Sequence, residues 1–238
     1  MFDFSGKVAL VTGAGGNLGG AVARAFYASG ASVVLVNRST ERLNALYPAE
    51  QFVPARVHFA AADLADEASV TALVAGALDR FGRIDILANT VGGYRAGTPV
   101  HETPLETWDF MLTLNARTAF LISKAVIPTM LAQRYGKIVH VAARGGLTGT
   151  ARHSAYAASK SAVIRLTETL AAELRHEGIN VNCVLPGTID TPQNRAEAPG
   201  ADYSKWVAPE AIADVILFLA SDAARAVNGA AVPVYGRS

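Results

Sequence analysis

Two groups of residues have a spacing that chemistry can use. Tyr156 and Lys160 lie four apart in a run that reads as helical, so their side chains leave the same face. A free phenol titrates near ~10, and an ammonium beside it favours the phenolate. Such a tyrosine can give a proton to a developing alkoxide or take one in the reverse direction. The second group is the turn Gly13-Ala14-Gly15-Gly16-Asn17-Leu18-Gly19, set between an apolar run and a helical one. Glycines there permit a tight turn, close approach of backbone to a pyrophosphate, and close helix–strand packing. The helix start adds unpaired N–H donors for phosphate, so the turn points to a bound dinucleotide.

These residues need a scaffold that brings strand ends together, and the rest of the chain supplies one. Short apolar runs rich in β-branched residues, at 8–12, 32–36, 57–61, 84–89, 137–141, 180–185 and 231–234, read as strands. Most are continuous rather than alternating, as expected of a parallel sheet covered on both faces. Between them, 18–29, 40–46, 67–80, 105–132, 155–176 and 209–221 read as helices. Asp66 or Ser69 suits the start of the third and Pro104 that of the fourth, while Gly30 and Gly178 stand where a left-handed residue ends a helix. The order predicts a single α/β domain over 1–238, with a Rossmann-type, doubly wound, seven-stranded parallel sheet. The one long stretch of loop residues, 187–208, follows the sixth strand at the ligand-binding edge of such a sheet and reads as a substrate flap.

The second strand ends Val36-Asn37-Arg38, where an acidic residue would bond the adenosine ribose hydroxyls and repel a 2′-phosphate. Neither Asn37 nor Arg38 is acidic, and a guanidinium can pair with that phosphate. The expected cofactor is therefore NADP(H), with NAD(H) as the alternative if Arg38 only faces solvent.

With these landmarks in order, the chain from about Ser5 to Tyr235 resembles the short-chain dehydrogenase/reductase family. The matching residues are Thr12 to Gly19, Asp63, Asn89, Asn115, the run Tyr156-Ala157-Ala158-Ser159-Lys160, and Pro186-Gly187-Thr188-Ile189 with Thr191. The resemblance implies catalytic roles for Tyr156, Lys160 and Asn115, the lysine also holding the nicotinamide ribose and the asparagine a water-linked proton path. It implies cofactor contacts from Gly13, Gly15, Gly16, Asn17, Leu18 and Gly19 at the phosphates. Asp63 and Leu64 would meet the adenine, Asn89 and the loop with Gly92 the adenosine side, and Pro186, Gly187, Ile189 and Thr191 the nicotinamide. Asn89 has a structural alternative, pinning neighbouring strands, and Pro186-Gly187 another, shaping the turn.

Three departures limit the transfer. Asn17 replaces the usual second glycine, and asparagine tolerates left-handed backbone better than other side chains. The common Asn-Asn-Ala-Gly appears as Asn89-Thr90-Val91-Gly92. Most seriously, Ala143 stands where the family places a serine that bonds the substrate oxygen, and Ala142 precedes it. Loss of one such donor costs on the order of 10²–10³ in turnover where the chemistry relies on it. Arg144, Thr148, Thr150, His153 and Ser154 are nearby polar substitutes, although His153 reads more readily as an exposed loop residue. The run Val141 to Leu147 is similar to the dihydropteridine reductase branch, which also lacks the serine.

The expected function is hydride transfer between NADP(H) and a small carbonyl or conjugated C=N substrate, with Tyr156 as acid/base. The alternative is a cofactor-binding protein with little turnover because of Ala143. Composition is compatible with either. Among 238 residues, 51% are hydrophobic and 17% charged, and the formal charge is +1, which gives no electrostatic reason to expect nucleic acid or an anionic membrane. No run of about eighteen apolar residues and no basic-then-apolar leader is read, so a cytoplasmic protein is expected. No metal site is expected. Cys183 lies in a strand-like run and reads as a buried small hydrophobe. A homodimer or homotetramer is expected from the family resemblance, with the long fourth and fifth helices compatible.

Overall fold

The computed structural model describes residues 2–48 and 51–237. Seven parallel strands form one sheet: β1 (Val8–Thr12), β2 (Ser32–Asn37), β3 (Val57–Ala61), β4 (Ile86–Asn89), β5 (Gly136–Val141), β6 (Ile179–Pro186) and β7 (Ala231–Val234). Their order is β3-β2-β1-β4-β5-β6-β7, so the direction of winding reverses between β1 and β4. At such a switch point the loops leaving the two central strands diverge and open a crevice at the carboxyl edge. The Rossmann-type expectation is met.

Alternate residues of each strand serve opposite faces. Ala9, Val11, Val33, Leu35, Ile86 and Ala88 pack under α1 (Asn17–Ala28), α2 (Thr40–Leu46) and α8 (Pro209–Ala220). Leu10, Val34, Leu87 and Ile138 pack under α3 (Glu67–Phe81), α5 (Thr118–Gln133) and α6 (Ser154–Leu174). Burial on both faces is why the strands read as unbroken apolar runs. Asp66 caps α3 by accepting from the Ser69 amide, and Gly30 and Gly178 take the left-handed backbone expected of them. Cys183 is fully buried, and burial pushes its thiol up to about 11, in keeping with a packing role.

Two readings change. The fourth helix is interrupted: α4 (Leu105–Met111) passes through a π turn (Leu112–Arg117) into α5. Leu105–Gln133 is long and apolar enough to cross a membrane by length and composition alone, yet Met111, Ile122, Val126 and Met130 are buried in the protein. The segment after β6 is also more ordered than a loop. Its ends are tied by Asp190 N to Val207 O (2.8 Å) and Val207 N to Thr188 O (2.9 Å), and it contains α7 (Pro192–Glu197), whose cap is the Thr191 hydroxyl.

Candidate active site

The turn between β1 and α1 is built around close approach. Gly13 has φ of 68°, which favours glycine, and a Cβ on Gly19 would lie 2.1 Å from the Gly13 carbonyl oxygen. Asn17 opens α1 in ordinary helical backbone, so its tolerance of left-handed angles is not what admits it there. The left-handed position is Gly13. Asn17, Leu18 and Gly19 form the first turn of α1, whose amides lack intrahelical acceptors and face a cleft of about 1720 Å³. That exceeds the ~300–1,000 Å³ of a typical small-ligand pocket and suits a dinucleotide together with a second molecule.

Gly13, Gly15, Gly16, Asn17, Leu18, Gly19, Arg38, Asp63, Leu64, Gly92, Tyr156, Lys160, Pro186, Gly187, Ile189 and Thr191 all line this cleft. Asn89 and Asn115 do not, and both are buried behind it. Asn89 Oδ1 accepts from the Thr12 hydroxyl (2.7 Å), and the same Thr12 oxygen accepts from Thr90 N (3.1 Å). Thr90 in turn donates its hydroxyl to Thr12 O (2.6 Å), clamping the glycine turn to the loop after β4. Asn89 therefore pins strands, the structural alternative weighed above.

At the outer end of the cleft, Arg38 is exposed at the close of β2. Arg42, which belongs to no motif, lines the same cleft and donates through Nε to the Gly15 carbonyl (2.9 Å). The nearby Glu41 carboxylate is held by the Ser39 hydroxyl (2.6 Å), which lowers its pKa. Asp63 turns one carboxylate oxygen to the Ala65 amide (2.9 Å), fixing the loop after β3.

At the inner end, α6 presents Tyr156 and Lys160. Lys160 Nζ is buried and donates to Val141 O (2.9 Å), and burial lowers its pKa to about 8. The π turn places Asn115 against the loop after β4. Asn115 Oδ1 accepts from Gly93 N (2.9 Å), and Nδ2 donates to Gly93 O (3.1 Å) and Ser159 Oγ (2.9 Å). A Cβ on Gly92 would lie 2.9 Å from both Asn115 Oδ1 and Lys160 Nζ, so glycine is what lets both side chains pack against this loop. Tyr156 differs from expectation. Burial, then the neighbouring Tyr94 phenol, push its hydroxyl up to about 12, and the ammonium that was to lower it is turned to Val141. In this state the Tyr156 phenol keeps its proton.

Ala143 also lines the cleft, and its side chain carries no hydroxyl. Tyr94, missed in the sequence, also lines it, and its ring meets that of Tyr156 edge-on with centroids 4.8 Å apart. The segment after β6 contributes Gln193, Asn194 and Trp206 to the wall.

Known proteins are similar to this chain in sequence and fold. The family model for short chain dehydrogenase matches residues 7–201. D-threitol dehydrogenase of Mycolicibacterium smegmatis is 38% identical, covering 99% of this chain and 94% of its own length. 2-(R)-hydroxypropyl-CoM dehydrogenase of Xanthobacter autotrophicus is 37% identical, with 97% of each chain covered. A solved xylitol dehydrogenase with NAD+ bound superposes with a TM-score of 0.90 at 31% identity, over 98% of this chain and 99% of that one. A family match over most of the chain, relatives of this identity and a glycine-cradled cleft together place this protein in the short-chain dehydrogenase/reductase family, as an NAD(P)-dependent oxidoreductase.

Proposed function

We propose that this chain is an NADP(H)-dependent reductase of small carbonyl or conjugated C=N compounds, with Tyr156 as its acid/base. The observation that carries the reading is Tyr156 itself: a phenol on the cleft wall, kept protonated by burial, one helical turn from a buried lysine. A nicotinamide bound there would supply or accept a hydride at its C4. The chain's own part is to hold the phosphates on the first turn of α1, to seat the substrate against Tyr156, and to give it a proton. Lys160 and Asn115, both packed against Gly92, hold the inner end in place.

The preference for NADP(H) rests on Arg38 and Arg42, which both line the cleft beyond β2. Two guanidinium groups suit a 2′-phosphate better than a bare ribose. The xylitol dehydrogenase neighbour holds NAD+, the alternative cofactor. We also assign self-association, as a homodimer or homotetramer, to the exposed Trp108, Phe120 and Leu131 on α4 and α5.

A second reading is favoured by one residue. Ala143 removes a substrate donor, so a cofactor-binding protein with little turnover, or chemistry like that of the dihydropteridine reductase branch, competes with ketone reduction. Oxidation of NADPH against ketones, quinones and quinonoid pterins decides among them. Turnover that Tyr156→Phe abolishes while NADPH binding persists supports the reductase. Tight NADPH binding with no turnover across the panel supports the binding protein.

A further inference from the structure

A polar pair that the reading above does not use stands beside Tyr156. Tyr94, in the loop after β4, and His153, immediately before α6, both line the cleft. Tyr94 Oη lies 2.9 Å from His153 Nε2, and His153 Nδ1 lies 2.8 Å from the Ala151 carbonyl oxygen. A carbonyl only accepts, so Nδ1 carries the ring proton. In the neutral imidazole Nε2 is then a bare acceptor, and the Tyr94 hydroxyl donates to it. A phenol has one proton, and this one is engaged. What the Tyr94 oxygen has left to offer a ligand is lone pairs.

The arrangement is held from both sides. Gly97 N donates to Arg152 O (2.8 Å), joining the Tyr94 loop to the approach to α6. Arg152 has φ of 66°, a left-handed backbone that a bulky residue rarely adopts, and it delivers His153 to Tyr94. On the Tyr156 side, the edge-on ring contact fixes Tyr94 next to the proton donor. Ala143 adds no hydroxyl of its own.

We propose that Tyr94, oriented by His153, is a specificity-determining acceptor for an O–H group next to the reacting carbon, so that the preferred substrates are α-hydroxy ketones and their products vicinal diols. The inference rests on the proposed reductase reading. In the step, hydride adds to the carbonyl carbon, the C=O π pair becomes an alkoxide lone pair, and that oxygen takes the Tyr156 proton. The adjacent hydroxyl keeps its proton throughout and only donates a hydrogen bond to Tyr94. Tyr156 regains its proton from solvent.

The test is kcat/KM with NADPH for matched pairs: acetoin against 2-butanone, and 2-hydroxycyclohexanone against cyclohexanone. The readout is the ratio within each pair, which a general loss of activity does not move. The wild-type protein is expected to favour the hydroxylated member by about three- to tenfold, the worth of one neutral hydrogen bond. Tyr94→Phe is expected to bring the ratio to about one. His153→Ala should erode it and His153→Gln, whose amide oxygen can accept from Tyr94, should restore it. No preference in the wild-type protein, or a preference unchanged in Tyr94→Phe, overturns the inference while leaving the reductase reading intact. Absence of reduction for every ketone overturns the carbonyl reading and this inference with it.

Discussion

His140 is a buried base held neutral by its hydrogen-bond partners, and acid should therefore destabilise this protein through it. The imidazole sits in β5, fully buried, with Nδ1 3.3 Å from Asn89 Nδ2 and Nε2 3.3 Å from Ser123 Oγ. Donor and acceptor roles follow from the ends of the chain of bonds. Thr90 N donates to Thr12 Oγ1, so the Thr12 proton goes to Asn89 Oδ1 and the Asn89 amide nitrogen faces His140. At the other end Ser123 gives its proton to Ala119 O (2.7 Å), so its oxygen accepts from His140 Nε2. Nδ1 must then be bare. A second ring proton would point at the Asn89 amide donor in a site without solvent. Burial, and after it the Lys160 charge, lower the His140 pKa from 6.5 to about 4.

The sign follows from proton counts. Between pH 6.5 and about 4 the unfolded chain carries the proton and the folded chain does not, so stability is lost as pH falls through this window. Carrying the two values through the linkage relation gives a loss of about 2 kcal/mol from pH 7.5 to pH 5, approaching about 3 kcal/mol below pH 4. Urea unfolding of the wild-type protein and His140→Asn at both pH values isolates this contribution from the other histidines. His140→Asn should be the weaker protein at pH 7.5, with that deficit shrinking by about 2 kcal/mol at pH 5. Parallel losses in the two proteins would refute the reasoning, because they would mean that His140 takes its proton without unfolding.

Three further outcomes are expected. Arg38→Ala should weaken NADPH binding, by about tenfold, while leaving NADH binding little changed, as read by cofactor fluorescence titration; equal loss for both cofactors would remove the phosphate assignment. Lys160, lowered to about 8 by burial, loses its ammonium above that pH in the free protein, so kcat/KM for NADPH-dependent reduction should fall above about pH 8, and a rate flat to pH 10 would show that the charge is not needed. Ala143→Ser restores a hydroxyl to the cleft wall, and a rise in ketone reduction of about 10² would mark a ketoreductase that lacks its donor, whereas no gain would mark a site adapted to other contacts.

How much of this was legible before the fold depended on range. Strands, their burial and the glycine turn were legible because their causes are local: a strand covered on both faces must be apolar throughout, and a helix against a tight turn must be small at Gly19. Gly13 and Asn17 show where local reading slipped, since which residue of the turn takes positive φ is set by where α1 begins. The π turn was invisible because one added residue per turn barely alters the apolar pattern of 105–132, yet it redirects Asn115 toward Gly93. Arg42 and Tyr94 belong to no motif and reach the cleft only through tertiary packing.

The proton chemistry shows the same division. Spacing alone puts Tyr156 and Lys160 on one face, and from spacing alone the lysine should draw the phenol toward its anion. Burial reverses this in the free protein, because a low-dielectric wall penalises both charged forms at once, raising Tyr156 and lowering Lys160. The Lys160 ammonium instead donates to the Val141 carbonyl, a partner that spacing along the helix could not reveal because β5 supplies it.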